Sequence, residues 1–239
     1  MRYASNESPI NQLPAIVWIL SLPMIASEAV FALARLGFMN NGMGGQGAAL
    51  AMRQIAAERT AFLPSMLYRA WDAQTVMGAQ LWRILTYSFI SASFTQALFV
   101  VVFLLALGNM VGSVFRPLAV VALFFGSAIG GALVFTLCGL AFPRILNVAL
   151  IGGYPAVYGL IGAFTFLIWV RLGQQNANRM RAFTMIAALM AFQLVFGIIF
   201  QDTTFLWIAD IAGFATGFLL SFVLIPGGFR EVVAQLRQR

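Results

Sequence analysis

The chain has 239 residues, 62% of them hydrophobic and 9% charged, with a net charge of +7. That balance excludes a water-soluble globular domain, and because the arginines stand between apolar runs the positive charge reads as a topology signal, with no nucleic-acid partner implied. Histidine is absent and Cys138 is the only cysteine. The commonest general base, the commonest metal ligand, a disulfide framework and a thiolate metal site are therefore all missing, and neither a metal nor a cofactor is expected.

In chain order, six apolar runs are long enough to cross a bilayer, which takes roughly 20 residues each. They cover 13–36, 85–112, 117–142, 149–170, 183–200 and 203–225. The first has no clear cleavage site and carries Glu28, so it reads as a retained helix. Residues 1–12 and 227–239 are expected as terminal segments flanking one all-α membrane domain over 13–226. Arg116 follows the second run, Arg171, Arg179 and Arg181 follow the fourth, and Arg230, Arg237 and Arg239 follow the sixth. The opposite side has only Arg144 and Asp202 in its short loops. This bias puts both termini in the cytoplasm.

The loop after the first run is long and patterned. Gly42, Gly44, Gly45 and Gly47 form a flexible entry. Leu50, Ile55, Phe62, Leu63, Met66, Leu67 and Trp71 then recur at roughly helical spacing among Arg53, Glu58, Arg59, Arg69 and Asp72. Helices lying in the membrane interface and a loop packed over helix ends both fit this stretch.

Small residues mark two later helices. The fourth run has Gly152, Ala156, Gly159 and Ala163, and the sixth has Ala209, Gly213 and Gly217. Such faces let backbones approach closely in lipid, so these two helices should cross. Asp210 lies three residues before Gly213, where an unpaired carboxylate costs several kcal/mol and so marks a site. Gly152-Gly153-Tyr154-Pro155 stands at the start of the fourth helix, with proline in a favourable first turn. Tyr154 is then expected at the helix mouth, near Asp210.

These segments together resemble the rhomboid family of intramembrane serine proteases. Trp82-Arg83 is similar to the family's Trp-Arg signature in the first loop. Gly152-Gly153-Tyr154-Pro155, continuing to Tyr158, Gly159 and Ala163, resembles its Gly-x-Ser-Gly segment. Ala209-Asp210-Ile211-Ala212-Gly213, with Gly217 four residues on, resembles its Ala-His-x-x-Gly-x-x-x-Gly pattern. The resemblance implies a six-helix bundle with a long loop after the first helix, set in a bacterial inner membrane.

The departures fall on the residues that do chemistry. The serine position holds Tyr154, the histidine position Asp210, and the two positions that help hold the oxyanion hold Gln96 and Val100. Tyr158 matches a retained tyrosine. Tyr154 and Asp210 make a poor nucleophile–base pair, since a phenol near 10 and a carboxyl near 4 differ by about six pKa units, or roughly 8 kcal/mol. A serine–lysine pair has no lysine, and an aspartyl mechanism lacks a second facing carboxylate. The resemblance thus implies an inactive member, a pseudoprotease. Gly152, Tyr154, Tyr158 and Asp210 would line a binding pocket, with Gly159, Ala163, Gly213 and Gly217 packing the helices.

Inactive relatives such as derlins imply a partner class, the transmembrane helices of client proteins, admitted laterally beside a fifth span that here is short and contains Gly197. Self-association is also compatible with this form. Three other readings stay open: a peptidase of unrecognised mechanism, a structural subunit of a membrane complex, and a small transporter or channel. The last would use Asp210 as its ion site, with Glu28 as a second intramembrane charge. Asp210 itself either closes a polar pocket, by being protonated or by accepting a hydrogen bond from the Tyr154 or Tyr158 hydroxyl, or faces water at its helix end.

Overall fold

The computed structural model describes residues 13–38, 45–72, 81–175, 177–184, 186–188, 190–191 and 205–225. Outside these lie the segments 1–12 and 227–239 with Arg230, Arg237 and Arg239. Gly42, Gly44, Gly197, Asp202 and most of the expected fifth span lie outside them too. The described part is all helical. Its elements are α1 (Ala15–Arg35), α2 (Gln46–Thr60), α3 (Pro64–Asp72), α4 (Arg83–Thr86), α5 (Phe94–Gly112), α6 (Pro117–Ala141), α7 (Tyr154–Gln174) and α8 (Trp207–Leu224). Five of them, α1, α5, α6, α7 and α8, are long and apolar enough to span a membrane. Their outer faces expose bare hydrophobics such as Leu118, Leu137, Leu219 and Val223, a surface that water would not tolerate and lipid covers. The protein is an integral, multi-pass membrane protein.

Two span boundaries differ from expectation. The second helix begins at Phe94, not near residue 85, because Ser93 caps it. The Ser93 hydroxyl accepts the Gln96 N–H at 3.1 Å, while the Gln96 side-chain oxygen accepts the Ala92 N–H at 2.9 Å. Both are donors that a helix start leaves unpaired. Residues 85–93 instead form the end of α4, a 3₁₀ turn over Tyr87–Phe89 and a short extended link. The fourth helix runs from Tyr154 to Gln174, with Gly153 at its N-cap and Pro155 in its first turn.

The core of the bundle is the α6–α7–α8 trio, and it is packed backbone to backbone. A Cβ on Gly213 would overlap the Pro155 carbonyl, one on Gly217 the Gly159 carbonyl, and one on Gly162 the Phe214 carbonyl. Helix α6 completes the trio: a Cβ at Gly131 would stand 2.8 Å from the Ala209 carbonyl oxygen, and one at Gly130 would strike Thr216. The expected crossing of the two small-residue faces is present, and α6 contributes glycines of its own. Ala163 is fully buried on α7.

The first loop is helical as well. Helix α2 buries no residue along its 15-residue length. The α2–α3 junction, by contrast, is fastened to the bundle. Phe62 and Leu150 exchange backbone hydrogen bonds of 3.0 and 2.8 Å, and both side chains are buried.

Candidate functional site

Tyr154, Tyr158 and Asp210 come together at the start of α7 and the first turn of α8. Because the Gly213 backbone lies against the Pro155 carbonyl, Asp210, one turn earlier on the same face, is set beside the α7 mouth. The Tyr154 and Tyr158 rings meet edge to face with centroids 6.5 Å apart. Asp210 is 5% exposed, so its carboxyl is inside the protein and does not face water at the helix end. Its charge is within electrostatic reach of three phenols, those of Tyr154, Tyr158 and Tyr87. The first-turn position adds a favourable interaction with the helix dipole, about 1 kcal/mol and at most about 2. That is less than the several kcal/mol a buried ion costs in a membrane, so the dipole alone does not hold this carboxyl in its charged form.

The mouth of α7 is held in one shape. Gly152 adopts φ +105°, a conformation open to glycine, and the Gln96 amide occupies the space where a side chain on it would stand. The Gly152 N–H donates to the Tyr87 carbonyl at 2.9 Å. Around Gly153 the chain is filled: a Cβ there would lie 2.8 Å from Val100, 2.9 Å from Met24 and 2.9 Å from the Ser88 carbonyl oxygen. Val100 is fully buried.

Gln96, the other expected oxyanion position, is committed elsewhere. Its side-chain oxygen takes part in the cap of α5, and its amide nitrogen donates to the Ile151 carbonyl at 3.4 Å. Val100 has no donor to offer a developing negative charge, which an oxyanion site requires, and the Gln96 amide is engaged with the Ile151 carbonyl. Among the described residues no cluster of three or more histidine, cysteine or acidic side chains could hold a metal ion.

Trp82 is half exposed, and Arg83 turns back over its ring at 5.6 Å from the centroid. The Arg83 guanidinium donates to the Ala61 carbonyl at 3.3 Å, and the Thr86 hydroxyl donates to the Thr60 carbonyl at 3.4 Å. Arg83 and Thr86 therefore bind the end of α2 to the segment that leads into α5.

Sequence reasoning missed Tyr87. It is fully buried, its hydroxyl donates to the Ala128 carbonyl of α6 at 2.8 Å, and its own carbonyl holds Gly152. It ties α6, the first loop and the α7 mouth together. Reading residues 85–93 as part of a spanning helix hid it. The Ser93-x-x-Gln96 capping pattern was the signal that would have moved the helix start and released Tyr87 to the site. The pairing of Glu28 with Arg53 was missed too. Their carboxylate and guanidinium meet in two contacts of 2.7 Å.

Comparison with known proteins agrees with this geometry. A Rhomboid domain model matches residues 78–227. A protein of Bacillus subtilis (strain 168), whose printed name is "Putative rhomboid protease YdcA", is 30% identical over 157 residues, covering 63% of this chain and 70% of that one. The matched domain contains Trp82, Arg83, Tyr154 and Asp210; Glu28 and Arg53 precede it.

Proposed function

The chain belongs to the rhomboid family, and from that membership we propose that it binds the transmembrane segments of client proteins without cutting them. The observation that carries this reading is the content of the dyad positions. Tyr154 and Asp210 stand side by side where a nucleophile and its base would be, in a chain without histidine or lysine. A hydroxyl attacks a peptide near neutral pH only when a matched proton acceptor is at hand, and an ordinary carboxyl and an ordinary phenol differ by some six pKa units, roughly 8 kcal/mol. The apolar Val100 and Met24 side chains packed at Gly153 support the same reading, since Val100 brings no polar group to the position it occupies. A bacterial inner membrane, on the family resemblance and the six-span form, and cytoplasmic termini, on the distribution of arginines, complete the proposal.

The transporter reading loses its second intramembrane charge, because Glu28 is bound by Arg53. The client reading is tested by photo-crosslinking in native membranes from Phe99 on α5 and from Ala187 in the expected fifth span. Cross-links to membrane-spanning proteins are expected, with those partners recovered at full length. Labelling of lipid alone would defeat client binding. Cleavage of a single-span peptide that stops on Tyr154→Phe or Asp210→Asn would defeat the inactive assignment.

A further inference from the structure

We infer that α2 is a hinged flap, fastened to the bundle by Arg53, whose release uncovers the segment that walls the α7 mouth. Arg53 is bound on every side. It contacts both Glu28 carboxylate oxygens at 2.7 Å, donates to the Ser91 carbonyl at 2.7 Å, and lies 4.5 Å from the centre of the Phe31 ring. The two side chains are only 12% and 14% exposed, and a two-pronged, charge-assisted contact of this kind is geometrically demanding. Among the described residues, Arg53 is the α2 side chain whose hydrogen bonds reach the rest of the bundle. Nothing on α2 is buried, so little apolar area holds the helix once that residue lets go.

The two ends of α2 differ in how they are held. At the C-terminal end, Thr60 and Ala61 accept bonds from Thr86 and Arg83, and Phe62 pairs with Leu150. That end is the hinge. At the N-terminal end Gly45, at φ +115°, is joined to α1 by its N–H to the Arg35 carbonyl at 2.7 Å, and Gly47 has open space around it. Glycines at this end let the backbone turn as the helix swings.

Beneath the flap is Ser91, 3% exposed, at the end of the segment whose Ser88 carbonyl touches Gly153. The Ser27 hydroxyl reaches the Phe89 carbonyl of the same segment from α1 at 3.4 Å. Opening at Arg53 therefore loosens the α1 side of the wall against which Gly153 and Tyr154 are set.

The test uses the full-length protein in detergent with Cys138→Ala, and compares labelling of Ser91→Cys and Ala61→Cys by a water-soluble maleimide. With Arg53 intact, both positions should react slowly. Arg53→Gln should speed labelling at position 91 by at least tenfold and leave position 61, at the hinge, unchanged. The exchanged pair Glu28→Arg with Arg53→Glu should restore protection at 91. Equal protection at 91 with and without Arg53 would overturn the flap. An equal rise at position 61 would do the same, because it would mean loss of the whole loop. If the exchanged pair labels as fast as Arg53→Gln, the ion pair is not the fastener.

Discussion

The α6–α7–α8 trio and the α1–α2 corner are built on opposite principles. In the trio, helices meet through their backbones: Gly213 lies on the Pro155 carbonyl and Gly217 on the Gly159 carbonyl. At these glycines no side chain separates the two helices, so their spacing there is set by backbone atoms that cannot rotate away. At the corner, α2 has no fully buried residue, and away from its C-terminal hinge it is held by the tip of a long side chain, Arg53. The first arrangement fixes Asp210 against Tyr154 to within the tolerance of a backbone contact. The second holds a helix in place while leaving it free to part at one bond. The family match takes in the trio and begins after the corner.

The sharpest way to break the comparison is to put bulk into the backbone contact. Gly217→Leu should destabilise the protein by about 3 kcal/mol, the upper end of overpacking costs, because the Gly159 carbonyl it would strike cannot repack. Titration with a denaturing detergent followed by helical circular dichroism measures this. A loss below about 1 kcal/mol would show that the helices can separate without penalty and that the trio is not rigid. Tyr87→Phe is the intermediate case. It removes one hydroxyl, and with it the bond to the Ala128 carbonyl, while keeping the ring. A loss of about 1 kcal/mol is expected, measured in the same titration, and no loss would remove Tyr87 as the tie between the loop and α6.

How much of this could be read in advance follows from the same division. The α7–α8 crossing was legible because small residues at helical spacing carry their meaning within one helix. The meeting of Tyr154 with Asp210 followed, since each sits beside one of those small residues. Gly126, Gly130 and Gly131 on α6 have the same character but lack a neighbouring charge, and they went unread. Tyr87 was hidden because apolar composition does not distinguish a spanning helix from a buried loop; the cap at Ser93 does. The Glu28–Arg53 pair joins residues 25 apart in different helices, and no local pattern in either helix points to the other. Glu28 therefore looked like a spare intramembrane charge when it is half of a fastening.

The smallest expected effect comes from α2 itself. Leu50 is 64% exposed, and Leu50→Ala should change stability in detergent by no more than about 0.5 kcal/mol, as surface replacements do. The same truncation at Leu104 of α5, which is fully buried, should cost about 2–5 kcal/mol through lost contacts and the cavity left behind. The pair of measurements isolates what holds α2. If Leu50→Ala proves as costly as Leu104→Ala, apolar contact secures α2 and Arg53 is only one fastening among many. If Leu50→Ala is silent while Arg53→Gln alters exposure at position 91, Arg53 and its contacts to Glu28, Ser91 and Phe31, and not the exposed leucine, keep the free end of α2 in place.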